Sequence, residues 1–391
     1  MRAQHLKTWV EINKKSIEHN AKIMRGILAP KTKLWSVVKS NAYGHGLVAF
    51  AQIAAPSVDG FCVDSVPEGL KLRQNDLKKP ILVLGPTLPS LIGVAAENSI
   101  ILSISNFESL KNLSTAKSKP KFHLKIDTGM HRQGFNVSEL PKVIKILKTS
   151  AQGGSASGGK SSMPNGRQAQ LTANATGIYT HFASAKDINY PTYTDMQFSA
   201  FQKAISILEK AGFKNLMTHA AATGGTLVNP KYHLDAVRVG IGLYGLWPSK
   251  ELQIQKKNIK FKPVLSWHAL VSEIKTLKKW DYVGYDLVER VSEPTKIAIV
   301  PIGYWHGFPR ALSGTGEVLI KGKRARVLGR VSMDLLIVNV NGIAVAVGDK
   351  ATIIGRQKKS ELNAFDVAQK CGTVHYELIT RINPLIERTV K

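Results

Sequence analysis

The chain has 391 residues, 43% of them hydrophobic, which is enough to fill one large core and a second smaller one. Two cysteines, Cys62 and Cys371, lie far apart and in no CxxC or Cys/His spacing, so a disulfide framework and a zinc site find no support and a reducing compartment fits best. The net charge of +27 comes from scattered lysines without interleaved aromatic residues, so nucleic-acid binding is not expected, although phosphate-bearing ligands would be favoured.

The N-terminal stretch MRAQHLKTWVEINKKSIEHN has no apolar h-region, and the chain contains no apolar run of about eighteen residues. A soluble, cytoplasmic protein without a membrane segment is expected. Short runs rich in apolar and β-branched residues then recur, each followed by a segment with helical spacing. KLWSVVK (33–39) precedes a helix starting near Gly46, GFCVD (60–64) precedes PEGLKLRQ, and PILVLG (80–85) precedes PSLIGVAAE. IILSIS (100–105) comes before NFESLKNL, KFHLKID (121–127) before SELPKVIKILK, and GIYTHFA (177–183) before FSAFQKAISILEKAG. NLMTHA (215–220) and AVRVGIGLYG (236–245) complete the set.

Eight strands alternating with helices predict a parallel α/β fold, and the number favours a closed (β/α)8 TIM-type barrel over an open sheet. A barrel gathers chemistry at the C-terminal ends of its strands. There Lys39 ends the first run, Asp127 the fifth, His181 falls in the sixth, His219 near the end of the seventh and Arg238 in the eighth. Residues 151–170, AQGGSASGGKSSMPNGRQAQ, read as a flexible surface insertion. From about residue 250 the runs VLSWHALVSEIKTL, TKIAIVPIG, ARVLGRVS and LLIVNV predict a mostly β C-terminal domain, with one helix near ELNAFDVAQKCG. The expected domains are therefore a barrel over 1–248 and a β domain over 249–391.

Lys39 stands in VVKSNAYGHG, at the end of an apolar run and before a loop of small and polar residues. It is either a solvated strand end or a reactive amine. On a barrel rim beside other polar groups a lysine loses solvation, its pKa falls, and it can form a Schiff base with a carbonyl or with pyridoxal phosphate.

VVKSNAYGHG resembles the cofactor-lysine motif of the alanine racemases, fold-type III pyridoxal-phosphate enzymes with a barrel and a C-terminal β domain. The likeness continues through WVEI…SIEHN, LKIDTGMHRQGF (124–135), YTHFASAKD (179–187), VRVGIGLYG (237–245), VGYDLVERV (283–291), PIGYWHGFPR (301–310), GRVSMD (329–334) and GTVHYELITRI (372–382), in the family's order. The resemblance implies a racemase of L- and D-alanine that supplies D-alanine for peptidoglycan, uses pyridoxal 5′-phosphate, needs no metal, and works as a head-to-tail homodimer with shared active sites.

Racemisation removes the Cα proton on one face and returns one on the other, so two acid/base groups must flank the substrate. By resemblance, Lys39 holds the cofactor and serves one face, while Tyr285 serves the other from the second subunit. A tyrosine with an ordinary pKa of about 10 is a poor base at neutral pH, and a positive neighbourhood would help it. Arg238 matches the arginine facing the pyridine nitrogen, which donates a hydrogen bond without giving up a proton. His181, otherwise a satisfied core histidine, matches its neighbour.

The resemblance puts the phosphate on Tyr43, Thr223, Gly240, Ile241 and Tyr376. Arg132 matches an arginine that contacts the cofactor's phenolic oxygen and the substrate carboxylate, a bidentate task suited to guanidinium. Lys125 matches a lysine carbamylated in many members; pairing with Asp127 is its alternative. The backbone N–H of Met333 would reach the substrate carboxylate, and Tyr304 and Tyr376 would line the corridor into the site.

Departures bear on specificity. HAAAT (219–223) replaces the family's HAANS, so Ala222 stands for an amide and Thr223 for a serine. Lys186, followed by Asp187, replaces an aspartate; GYWHG, with Trp305 and His306, replaces a GYADG-like segment; Ser332 and Leu335 stand where cysteine and glutamine are frequent. Racemisation of another small or basic amino acid is the neighbouring alternative. A decarboxylase of this fold type is disfavoured by Arg238 and GRVSMD, and a cofactor carrier by the C-terminal domain and Tyr285.

Overall fold

The computed structural model of the chain describes residues 6–149, 171–187, 189 and 191–391; the expected insertion at 151–170 lies outside the described residues. The chain divides into two compact units, Glu18–Lys39 with Ala51–Phe261, and Met1–Ile17 with Ser40–Phe50 and Lys262–Lys391.

Among the described residues the first unit has a barrel of eight parallel strands, β1 (Lys33–Val37), β2 (Gly60–Val63), β3 (Ile81–Val83), β4 (Ile100–Ile104), β5 (Phe122–Asp127), β6 (Ala175–Tyr179), β7 (Met217–Ala222) and β8 (Ala236–Val239), with the two-residue strand Phe135–Asn136 pairing on the end of β5 outside the ring. Each pairs with its neighbour in sequence, β8 pairs with β1, and the ring closes. The short apolar runs predicted this: β2 and β3 are buried along their whole length, as strands sandwiched between a barrel interior and an outer helical layer must be. Helix starts carry local signals as well. Ser65 accepts the Glu68 N–H at 3.5 Å, and Asn106 and Ser109 cap each other at the head of Phe107–Thr115.

The expected 177–183 strand is displaced: β6 runs from Ala175 to Tyr179, so His181 lies two residues beyond its end. Thr180, one residue past the strand, still donates its N–H to His219 O (3.2 Å), while its hydroxyl bonds with Ile126 O (3.0 Å) and Thr128 Oγ1 (2.7 Å). Only Ala236–Val239 of the expected 236–245 run is strand; the glycines that follow turn the chain.

The second unit is mostly β. Its main sheet runs in the order Glu273–Leu277, Thr295–Val300, Leu336–Asn339, Lys323–Leu328, Glu317–Ile320, Lys350–Gln357, Leu265–Leu270, Thr8–Ile12 and Arg388–Val390. Thr8–Ile12 therefore belongs here and not to a 1–248 barrel domain: it pairs antiparallel with Leu265–Leu270 and parallel with Arg388–Val390. Thr8–Ile12 is largely buried, and its partners lie some 250 and 380 residues away, where no local pattern points. Ser40–Phe50 also joins this unit, so the chain changes unit directly after Lys39. Among the described residues no helix is long and apolar enough to cross a membrane.

Candidate active site

The parallel barrel brings the ends of its strands to one rim. Lys39 follows β1, Asp64 follows β2, Asp127 ends β5, His181 follows β6, Thr223 follows β7, and Gly240 and Ile241 follow β8. The Lys39 Nζ lies 3.3 Å from Asp64 Oδ1, with the lysine side chain 38% and the aspartate 52% exposed. An ion pair this exposed is worth about 0–1 kcal/mol, so the amine is readily exchanged to another partner.

At the centre of the rim Arg238 is buried. It donates from Nη1 to His219 Nδ1 (2.6 Å) and from Nη2 to Thr180 O (2.7 Å), Ala220 O (2.9 Å) and His181 Nδ1 (3.4 Å). Nη1 and Nη2 make all four bonds, and Nε makes none of them. Because a guanidinium only donates, both imidazoles must accept at Nδ1 and carry their proton on Nε2. The His219 Nε2–H then donates to His123 Nδ1 at 2.8 Å. Burial and the positive Arg238 hold all three histidines neutral, with His123 pushed down to about 3 and His181 and His219 well below the usual imidazole range. The Tyr179 ring stacks on His219 at 4.8 Å, and its hydroxyl bonds Ser103 Oγ at 2.7 Å.

Lys125 on β5 is 5% exposed, its Nζ 4.7 Å from the centroid of the Tyr179 ring. Burial first, then Arg238 and Arg132, push its ammonium well below the ordinary lysine range. The pairing with Asp127 is not made: that carboxylate accepts the Gly129 and His131 N–H groups (2.9 and 3.1 Å) and shapes the loop leading to Arg132. Tyr193 Oη secures the same loop through Gly129 O at 2.7 Å. Across the rim, Thr223 Oγ1 accepts the Gly242 N–H at 3.3 Å. A Cβ on Gly242 would come within 2.8 Å of Thr223 Cγ2, so glycine is what lets the β8 turn lie this close.

The β unit holds the remaining predicted residues. Ser40, Asn41, Ala42 and Tyr43 all adopt left-handed backbone conformation, with φ between 52° and 55°. None is glycine, and each costs about 1–2 kcal/mol. A turn of this kind is retained only when its surroundings over-determine it, and such strain clusters at functional sites. Gly44 N–H bonds Ser40 O (3.2 Å), Gly46 N–H bonds Asn41 O (3.0 Å), and Asn41 Oδ1 accepts the Leu47 N–H (2.9 Å). The turn sets the Tyr43 ring 6.2 Å from that of Tyr376, on the helix His375–Thr380. Burial, with Tyr43 adding to it, raises the Tyr376 phenol, which therefore stays protonated as a donor.

In the same unit the Tyr304–His306 turn packs its backbone on the GRVSMD segment: Tyr304 N–H reaches Ser332 O and Trp305 N–H reaches Met333 O, both at 3.0 Å. His306, in place of the family's aspartate, is buried and accepts the Gly303 N–H at Nδ1 (3.2 Å). Tyr285 stands on an exposed turn after Gly284, 68% exposed, and is followed by the left-handed Asp286 and Leu287.

Residues 12–248 match the family model for the alanine racemase N-terminal domain, and residues 264–390 match that for the alanine racemase C-terminal domain. The chain belongs to the alanine racemase family. An alanine racemase of Leptospira interrogans is 36% identical over 98% of this chain and 95% of its own length. One from Listeria monocytogenes is 34% identical over 98% of both. The crystal structure of alanine racemase from Bacillus anthracis with bound L-Ala-P superposes with a TM-score of 0.89, at 34% identity, covering 99% of this chain and 95% of that one. As in those relatives, the chain is an isomerase with a TIM-type barrel and a mostly β C-terminal domain.

Within this alanine racemase scaffold the structure joins Arg238 to His181, Tyr43 to Tyr376, and Tyr304 to Met333 through its neighbour Trp305. No hydrogen bond or ring contact ties Tyr285 to another predicted residue among the described residues. Sequence reasoning gave Asp64, His123 and Tyr179 no role. Asp64 stood at the end of a predicted strand and was findable; His123 meets His219, and Tyr179 meets Arg238, only once the barrel closes.

Proposed function

We propose that the protein interconverts L-alanine and D-alanine with pyridoxal 5′-phosphate, supplying D-alanine for peptidoglycan in the cytoplasm, as a head-to-tail homodimer. The observation that carries this reading is the buried Arg238, bound to two neutral histidines through Nη1 and Nη2. A ring nitrogen facing its Nε would meet a donor that keeps its proton. A carboxylate there would instead favour full protonation of the ring. The donor set suits the rest of the cofactor: an amine at Lys39, the hydroxyls of Tyr43, Thr223 and Tyr376, and the backbone of Gly240 and Ile241 for the phosphate. When bound, the cofactor supplies an electron sink for the electron pair left at Cα.

The chain's own residues do the proton work. Lys39 Nζ takes or gives the Cα proton on one face. The partner subunit's Tyr285 does the same on the other, which is why its exposure on a single chain suits the role. Arg132 and the Met333 N–H orient the substrate carboxylate. Lys125, buried with its ammonium disfavoured, is available as a neutral amine, the form that combines with carbon dioxide to give a carbamate bracing Arg132. Tyr304 and Tyr376 line the corridor. Solvent deuterium exchange at Cα across a panel of L- and D-amino acids tests the proposal. Alanine should exchange and interconvert fastest; a faster partner among larger side chains would move the preference toward the residues that depart from the family, Ala222 and Trp305.

A further inference from the structure

The left-handed turn that follows Lys39 needs an external brace, and one side chain supplies it. Arg388 opens the last strand of the β unit, where its backbone pairs with Val10. Its guanidinium donates from Nε and Nη2 to Gly44 O (3.1 and 3.0 Å), from Nη2 to Ile382 O (3.1 Å), and from Nη1 to Asn383 O (2.7 Å) and to Ile386 O. All five bonds end on main-chain carbonyls. Burial pushes the guanidinium down to about 10, which still leaves it charged at neutral pH.

Two further contacts define what this fan of bonds holds. Gly44, at φ 82°, lies so close to Ile379 O that a Cβ there would overlap it, so the turn rests directly on the helix that carries Tyr376. Asn383 in turn donates its backbone N–H to His306 O (3.1 Å) and its side-chain amide to Trp305 O (3.0 Å), extending the same frame to the corridor turn.

We propose that Arg388 is a positioning residue for the cofactor's phosphate: by joining Gly44 O to the carbonyls that follow the Tyr376 helix, it sets the distance between the Tyr43 and Tyr376 hydroxyls. This rests on the reading above that those two tyrosines hold the phosphate. Lysine cannot replace it, because an ammonium is a point donor without the planar fork that reaches carbonyls on two sides.

The test compares Arg388→Lys and Arg388→Gln with wild type in two titrations of the apo-protein, one with pyridoxal 5′-phosphate and one with pyridoxal. Both variants should weaken the phosphorylated ligand by about tenfold or more and change the unphosphorylated one by less than about twofold. Equal weakening of both ligands, no change in either, or failure of both variants to fold would overturn the inference. Failure of the underlying reading shows elsewhere: wild type itself would then not prefer the phosphorylated ligand, or Tyr43→Phe would leave that preference intact.

Discussion

Arg238 Nη1 donates to His219 Nδ1 across 2.6 Å, with both side chains buried, and this bond fixes the tautomer of His219 and so its bond to His123. An acceptor at Nδ1 forces the proton to Nε2, from which His219 donates to His123. Arg238→Met would remove four bonds and leave the Thr180 and Ala220 carbonyls buried without their donor. Each orphaned group costs about 1–3 kcal/mol, so a loss of about 3 kcal/mol is expected by urea unfolding of the apo-protein. A loss below about 1 kcal/mol would mean that water replaces the guanidinium and that the network is not rigid.

Acid should destabilise the fold early. His123 and His45 are pushed down to about 3 and about 4 from an ordinary 6.5, chiefly by burial. Between those values and 6.5 the unfolded chain binds protons that the folded chain refuses, so stability rises with pH. It is fully present above about 6.5 and falls as pH drops toward 4, by up to about 1.4 kcal/mol per pH unit for each histidine. Urea midpoints at pH 7 and pH 5 measure this. His123→Gln should flatten the slope, and an unchanged slope would assign it to other groups.

Lys39→Ala should abolish the visible band of lysine-bound cofactor and all racemisation, while the far-ultraviolet circular dichroism stays unchanged. Retention of a band that borohydride fixes to another lysine would show that the wrong amine was chosen.

Subunit complementation tests the shared site. Lys39→Ala and Tyr285→Phe should each be nearly inactive. A mixed dimer contains one site with an intact Lys39 and the partner subunit's intact Tyr285. An equal mixture after subunit exchange should recover about a quarter of wild-type activity, since half of the dimers are mixed and each has one working site. No recovery, with mixed dimers demonstrated by differential tags, would place both bases on one chain.

Labelled bicarbonate offers a direct view of Lys125. A carbamate carbon resonance should appear in wild type and vanish in Lys125→Ala. Its absence from wild type would leave Lys125 as a buried amine beneath the Tyr179 ring.

Much of this was legible in the sequence. Eight apolar runs alternating with helical spacing led to the closed barrel because parallel strands covered on both faces must be continuously apolar, and that requirement is local. VVKSNAYGHG, VRVGIGLYG and GTVHYELITRI point to Lys39, Arg238 and Tyr376 through family likeness; the structure puts Lys39 two residues beyond β1, Arg238 on β8, and Tyr376 on the helix His375–Thr380, which is not expected from the sequence. The position of His181 beyond β6, the membership of Thr8–Ile12 and Ser40–Phe50 in the β unit, and the left-handed turn after Lys39 were decided by tertiary structure. The physical reason is common to all three. A strand's partners and a strained backbone's braces lie far along the chain: Ile12 pairs with Leu265, and Gly44 O is held by Arg388, 344 residues away. Periodicity reports which side chains must be buried, whereas only the folded chain determines which donors meet which carbonyls.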